Sequence, residues 1–177
     1  MHNNKKFSQQ DYDRCNAIGV AKAIELFRYL GYHAYQAPDR DKMAHYDVIV
    51  EIPNGAHVDC IKVECETRRE HYDTLYNGGF EDVRFPKRKF YIDCDGPNER
   101  EDLPDLIVTM HVSTNDRRFI IMNQDAIRQG LSKKYKAWNK ETRIEEWFVP
   151  ISKEHCNRLQ IDGDAVIDEG KVSDGCL

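Results

Sequence analysis

The sequence predicts a protein of the α/β (α+β) class, with a central mixed sheet flanked by helices. Three observations lead to this fold class. One long segment repeats apolar residues at helical spacing, several short segments alternate apolar and polar residues as strands do, and turn residues separate them. The 177 residues, 40% hydrophobic and 32% charged, fit a domain of ordinary size. We therefore expect a single domain over 1–162 and a loosely ordered C-terminal tail over 163–177.

The first half of the chain predicts a helix, a strand and a hairpin. Apolar residues recur at helical spacing from about Ser8 to Leu30, and Gly31 suits the C-cap. A short strand over 32–38 ends at a proline. Within 46–66, YDVIVEI is typical of a strand, PNGA contains an Asn-Gly turn signal, and HVDCIKVECE is typical of the returning strand.

The second half predicts shorter elements. In chain order we expect a helix at RREHYDTLYN (68–77), strands at KFYIDC (89–94), LIVTMHV (106–112) and RFIIM (118–122), a helix over 124–130 capped by Asn123, a weakly ordered basic segment at LSKKYKAWNKETR (131–143), a last strand at EEWFVPI (145–151), and a capping-box pattern that begins at Ser152. The order is helix, three strands, helix, then further strands and short helices.

Composition excludes some classes of protein. No segment approaches the roughly 20 apolar residues of a membrane span, and the N-terminal residues lack the apolar stretch of a secretion signal, so we expect a cytoplasmic protein that does not contact membranes. The six cysteines show no C-x-x-C spacing and are expected to be mostly small buried side chains in a reduced compartment. The net charge of −5 does not by itself indicate a nucleic-acid binder, so such a contact would need a local basic patch.

Three carboxylates of the hairpin, Asp47, Glu64 and Glu66, form the candidate site. Alternation along the second strand points Val63 and Cys65 into the core and both glutamates to the other face. The Asn-Gly turn places Asp47 close to Val63 or Glu64 on the partner strand. Such acids repel one another unless a divalent cation such as Mg²⁺ binds them, and the backbone carbonyl of Cys65 could add an oxygen ligand. The alternative is a solvent-facing strand with alternating charges.

Basic residues cluster in two segments. Four cations lie within six residues, and two more come shortly after the last glutamate of the hairpin, following Thr67: Arg84, Lys87, Arg88, Lys89, Arg68 and Arg69. This group suits phosphate contacts, although a solvated basic loop would also explain it. The second segment contains Lys133, Lys134, Lys136 and Lys140, with Tyr135 and Trp138 between them. These residues could contact a nucleic-acid backbone and stack on a base, or they could form an ordinary soluble helix surface.

The chain carries an Asp on one strand and a Glu-x-Glu on the next, and both strands follow a helix that carries a Glu. Over about 8–122 this arrangement resembles that of the PD-(D/E)XK nuclease superfamily. The resemblance implies a single nuclease-like domain with a restriction-endonuclease-like core of helix, three strands, helix and strand. It implies Asp47 and Glu64, with the Cys65 carbonyl, as ligands of Mg²⁺ or Mn²⁺. It also places Glu25, on the first helix, in the outer shell of that metal.

The resemblance departs from the usual pattern at one position. Glu66 occupies the place usually held by the catalytic lysine, which leaves the general base open between Glu66 and Lys62, a residue of the same strand face. On the reading of a solvent-facing strand, Lys62 would instead form an ion pair with Glu64 worth less than about 1 kcal/mol.

The function implied by the resemblance is metal-dependent hydrolysis of DNA phosphodiester bonds, with RNA left open as a substrate. Water would attack phosphorus with the help of Glu66 or Lys62, and the basic segment would stabilise the leaving oxygen. Many relatives dimerise to cut two strands, so a homodimer is also open. The alternative is a catalytically inactive nuclease-like module, for example a phage or mobile-element protein that binds nucleic acid or a host protein. The glutamate in place of the lysine motivates this alternative.

Overall fold

The computed structural model describes residues 8–38, 46–92, 100–101, 103–139 and 144–171. For six residues within these ranges only the backbone is described: Tyr12, Arg88, Tyr91, Ile92, Arg100 and Glu101. All statements about the structure concern these residues.

Twelve strands and three α-helices make up the described fold. The strands are β1 (His33–Gln36), β2 (Val48–Asn54), β3 (His57–Arg68), β4 (Asp82–Pro86), β5 (Tyr91–Ile92), β6 (Arg100–Glu101), β7 (Leu106–His111), β8 (Arg118–Asn123), β9 (Tyr135–Asn139), β10 (Ile144–Ser152), β11 (Cys156–Asp162) and β12 (Ala165–Lys171). The helices are α1 (Gln9–Tyr29), α2 (Tyr72–Tyr76) and α3 (Gln124–Ser132). Two 3₁₀ turns, Lys87–Lys89 and Lys153–His155, follow β4 and β10.

Seven strands form a mixed main sheet in the order β1-β2-β3-β7-β8-β11-β12. Strands β3 and β7 run parallel, and every other neighbouring pair in this sheet is antiparallel. A smaller sheet has the order β4-β10-β9, and β5 pairs with β6. The expectation of an α+β fold with a central mixed sheet is confirmed, and the structure shows that this sheet is large and the helices are few.

Helix α1 covers one face of the main sheet. It begins after Ser8, whose side chain accepts a hydrogen bond from the backbone N–H of Asp11, and it ends before Gly31, whose φ of 87° favours glycine. Its apolar stripe includes Ala23 and Leu26, both fully buried. The same core contains Val63 of β3 and other inward side chains of the first four strands of the sheet.

The small sheet, α2 and α3 build a second core on the opposite face. Side chains such as Ile107 and Met122 of the main sheet pack there with Tyr72 of α2 and Phe85 of β4. This layer leaves the first part of β3 exposed: residues 57–62 are exposed or half-buried, whereas 63–65 are buried. The covered and exposed parts of this face therefore meet along β3.

The structure corrects several sequence-based expectations in the second half of the chain. Strand β4 was not expected, and the basic segment 131–143, expected to be weakly ordered, contains β9. Lysines are common on edge strands because they discourage pairing with other chains, so a basic segment can still form an edge strand. Strand β10 is not the last strand, because β11 and β12 follow it.

The C-terminal segments also differ from expectation. Ser152 makes no side-chain capping hydrogen bond to the described residues, and a 3₁₀ turn and β11 follow it rather than a helix. The tail expected over 163–177 contains β12, which pairs with β11 across a turn at Gly163, where φ is 58°. Residues 172–177 lie outside the described residues.

Two of the four described cysteines, Cys65 and Cys156, are buried, as expected for small apolar side chains, whereas Cys15 is half-buried and Cys60 is exposed. Cys94 and Cys176 lie outside the described residues. No helix in the described ranges is long and apolar enough to cross a membrane.

We predict that Gly130→Ala destabilises the contact between α3 and the small sheet. An added Cβ would lie 2.6 Å from the backbone oxygen of Pro150, so the helix or strand β10 must shift. Overpacking of this kind costs about 1–3 kcal/mol, which corresponds to a melting temperature lower by about 2–10 °C. Gln129→Ala, on the exposed side of the same helix, is the control and should change the free energy of unfolding by less than about 0.5 kcal/mol. Equal melting temperatures for the two variants would contradict this packing.

Candidate acidic site

The hairpin brings Asp47 next to the two glutamates. Val48 pairs with Val63, so Asp47, one residue earlier, lies opposite Glu64. The backbone N–H of Asp47 donates to the Val63 carbonyl at 2.8 Å, and its Oδ2 accepts a hydrogen bond from the backbone N–H of Cys65 at 2.9 Å. The expected position of Asp47 opposite Val63 or Glu64 is confirmed. The two-residue turn between Asn54 and His57 sets this register.

A lysine from another element joins the glutamates. The Nζ of Lys89 lies 2.6 Å from Oε1 of Glu64 and 2.6 Å from Oε2 of Glu66. Lys89 ends the 3₁₀ turn that follows β4, and the next residue, Phe90, is fully buried in the second core. Pairing of β4 with β10 and burial of Phe90 thus hold the ammonium group in place. We call Asp47, Glu64, Glu66 and Lys89 the acidic site.

Among the described residues, Lys62 and Glu25 contact residues other than the three acids. The Nζ of Lys62 lies over the ring of Tyr46, 5.3 Å from its centroid. Glu25 is on α1, which packs on the face of the sheet opposite to the glutamates, and it forms an ion pair with Arg117 at 3.0 Å. Lys89, which the sequence placed among phosphate-binding residues, is therefore the lysine at the acids.

Burial gives Glu64 unusual electrostatics. Its side chain is 11% exposed, which excludes a purely solvent-facing charged strand at this position. Burial raises the pKa of Glu64 to about 7; the Lys89 ammonium opposes this shift, while Asp47 and Glu66 add to it. Burial alone would lower the pKa of Lys89, but the attraction of Glu66 and Glu64 outweighs it and raises that pKa. The acidic site therefore holds one firmly charged ammonium and a carboxyl that titrates near neutral pH.

Oxygen ligands for a cation lie on the Asp47 side of β3. The Lys62 carbonyl accepts from Asp105 of the β7 side, and the Val63 carbonyl accepts from Asp47. Because carbonyls alternate along a strand, the Cys65 carbonyl points to the same side as that of Val63, towards Asp47. No group of three or more His, Cys, Asp or Glu side chains among the described residues has the geometry of a metal site. What the site offers is two carboxylates and one carbonyl, a donor set that suits Mg²⁺ or Mn²⁺.

The predicted phosphate-binding residues occupy different environments. Arg68 donates to the Arg84 carbonyl at 2.9 Å, and its Nε is buried without a hydrogen-bond partner among the described residues. Arg84 is 62% exposed and pairs with Asp82, Lys87 is buried, and the side chain of Arg88 lies outside the described residues. Arg69, the other cation of this group, contacts α1 through an ion pair with Asp11 at 3.5 Å.

No protein-family model matches this chain, and no curated protein or solved structure matches it significantly. Its function is therefore inferred from the fold and the acidic site alone.

We predict that Glu64→Gln stabilises the metal-free protein at pH 8 and much less at pH 5. The pKa of Glu64 is about 7 in the folded chain and about 4.3 when unfolded. The folded state thus binds more protons between these values, and stability falls as pH rises through this range. The difference in the free energy of unfolding between the variant and the wild type should grow by about 2–3 kcal/mol from pH 5 to pH 8. Urea unfolding in EDTA measures this difference. Glu51→Gln is the control, because a hydrogen bond with His33 lowers the pKa of that half-buried glutamate, whereas the pKa of Glu64 is raised. A gain that does not change with pH would contradict the burial of an ionised Glu64.

Proposed function

We propose that this protein is a metal-dependent nuclease that hydrolyses phosphodiester bonds of DNA, with RNA as the alternative substrate. The observation that carries the proposal is the convergence of Asp47, Glu64, Glu66 and Lys89 on one position of the sheet. When Glu64 is ionised, three carboxylates and one ammonium give the site a net charge of −2, which one divalent cation would balance. A cytoplasmic location and a homodimer remain predictions.

The order and pairing of elements support this proposal. A helix, three antiparallel strands and a second helix precede β7, which lies parallel to β3. This is the order of the restriction-endonuclease-like core that the sequence resembles, with β4, β5 and β6 inserted before the last strand. Asp47 directly precedes the second strand, and both glutamates lie on the third.

A cation would be held by Asp47, Glu64 and the Cys65 carbonyl. When bound, Mg²⁺ or Mn²⁺ would lower the pKa of a coordinated water and polarise the phosphate. Glu64 would have to lose its proton first, so cation affinity should rise with pH up to about 7. Asp47 is already oriented, because the backbone N–H of Cys65 holds one of its oxygens.

Glu66 and Lys89 would have separate roles in hydrolysis. Lys89 stays protonated at neutral pH because its pKa is raised, so it would stabilise negative charge on the phosphate rather than accept a proton. Glu66 would accept the proton of the water whose oxygen attacks phosphorus, as the bond from phosphorus to the leaving oxygen breaks. An ammonium from the turn after β4 would thus take the place of the lysine that is usual at position 66.

We predict that DNA cleavage requires both carboxylates that face the cation. Nicking of supercoiled plasmid in Mg²⁺ or Mn²⁺ should fall at least about 100-fold in Asp47→Asn and in Glu64→Gln, because loss of a direct ligand should exceed the effect of losing an outer-shell group. Gel electrophoresis against time measures the rate, and EDTA should abolish it. Glu51→Gln, on the same hairpin, is the matched control and should cleave at the wild-type rate. Cleavage that persists in EDTA or in Asp47→Asn would contradict the proposed site.

One observation favours a second candidate function. Because Lys89 already contacts Glu64 and Glu66, the chain can hold its acids together without a metal. A module of this kind would bind nucleic acid or a protein without cutting it. Wild-type protein that shows no cation binding by calorimetry and no cleavage at pH 8, but binds DNA, would support this function instead.

We predict that Lys89→Met lowers the cleavage rate about 10²–10³-fold, the effect of removing one charge-stabilising donor, while the cation still binds. Calorimetry with Mn²⁺ checks binding, and thermal unfolding checks that the variant is folded. The double variant Glu66→Lys with Lys89→Glu keeps one ammonium and the same net charge, and it should retain more activity than Lys89→Met. If Lys89→Met cleaves at the wild-type rate, the ammonium has no part in hydrolysis.

A further inference from the structure

The two tryptophans of the chain lie on the paired part of the β9–β10 hairpin and are exposed. Trp138 is 63% exposed and Trp147 is 40% exposed, although large aromatic side chains usually lie in a core. We call the paired segments Tyr135–Asn139 and Ile144–Phe148 the distal ribbon. These exposed rings have no role in the acidic site.

Both tryptophans lie on one face of the distal ribbon. Trp138 pairs with Glu145 and Lys136 pairs with Trp147, so all four side chains share a face. Lys136 and Glu145 form an ion pair at 3.0 Å across one diagonal of this group. The tryptophans occupy the other diagonal of this group, so both rings stand on the same face as the ion pair.

The tryptophan face is continuous with the part of the small sheet that packs on the main sheet. Trp147 lies on the same face of β10 as Val149 and Ile151, which are fully buried in the second core. Strand β4 pairs with β10 up to Pro86, opposite Phe148, and then enters the turn that carries Lys89. Strand β10 also contacts this turn. The tryptophans therefore lie beyond the edge of the core, on the side of the small sheet from which Lys89 reaches the acidic site.

The charge around the tryptophans favours an anionic partner. Lys136 is paired with Glu145 on the tryptophan face, so those two charges cancel. The positive charge beside the rings comes from Lys133 and Lys134, both exposed, which lie between α3 and β9. Cations beside exposed aromatic rings are the combination that single-stranded nucleic acid needs, because rings stack on bases and ammonium groups contact phosphates. In a duplex the bases are already stacked on one another and offer no free ring faces.

We propose that the distal ribbon binds single-stranded nucleic acid by stacking bases on Trp138 and Trp147. This inference rests on the proposed function, which gives nucleic acid as the substrate. It adds that the substrate is single-stranded where it contacts the ribbon. The ribbon holds an unpaired segment, and the acidic site cuts close to it.

Tryptophan fluorescence tests this proposal directly, because the chain has only these two tryptophans. Titration of Glu64→Gln protein in EDTA with a dT₂₀ oligonucleotide should quench the emission, and duplex of the same length should quench it far less. Trp138→Ala and Trp147→Ala should each raise the Kd for dT₂₀ at least about 5-fold, measured by anisotropy of a labelled oligonucleotide. The corresponding Trp→Phe variants should lose less, since phenylalanine still stacks. An rU₂₀ arm distinguishes RNA from DNA as the source of the bases.

Phe80→Ala is the matched control, because Phe80 is 41% exposed and lies outside the ribbon; it should bind dT₂₀ like the parent protein. Absence of quenching, or equal affinity of the Trp→Ala variants, would overturn the proposal. The proposal would also be wrong if the wild type sediments as a dimer and both Trp→Ala variants sediment as monomers, because a second copy of the chain would then cover the rings. The nuclease proposal is tested separately. If dT₂₀ quenches the fluorescence but the wild type does not cleave DNA, the distal ribbon binds single strands and the nuclease proposal is wrong.

Discussion

The contact of Lys89 with Glu64 and Glu66 is the interaction on which this site depends. A buried glutamate in a sheet is costly as an anion, and an ammonium within hydrogen-bond distance reduces that cost. The compensation is partial, because the pKa of Glu64 still rises to about 7. The small sheet supplies the ammonium, so the second layer of the fold both covers the main sheet and completes the acidic site.

The location of the site follows from how the main sheet is covered. Helix α1 lies on one face, and the small sheet with α2 and α3 covers part of the other face. Along β3 the exposed first six residues give way to buried ones at the level where Asp47 and Glu64 meet. An acid at such a boundary is partly desolvated and yet remains near solvent, a position in which pKa values shift and ligands can still enter.

The sequence predicted the hairpin side of the site and missed the other side, for a physical reason. The position of Asp47 depends on an Asn-Gly turn and on alternation within about twenty residues, and local patterns determine both. The position of Lys89 depends on β4 pairing with β10, which joins Pro86 to Phe148 across most of the second half of the chain. No local pattern encodes that pairing. Strand β12 was missed for a similar reason, because its polar sequence becomes a strand through pairing with β11.

The balance of charge gives a reason for a glutamate at position 64, where burial of the anion opposes folding of the metal-free protein. A glutamine of the same size would avoid the cost of burying an anion, and the chain carries the glutamate instead. Groups that oppose folding and sit beside other titratable groups are typical of functional sites, since their cost is recovered when a ligand binds. A divalent cation would recover it here, because it would favour the ionised form of Glu64 and balance the two charges that Lys89 leaves. In the proposed hydrolysis, Lys89 would then remain with Glu66, and the ammonium and the cation would contact the same phosphate from different elements of the fold.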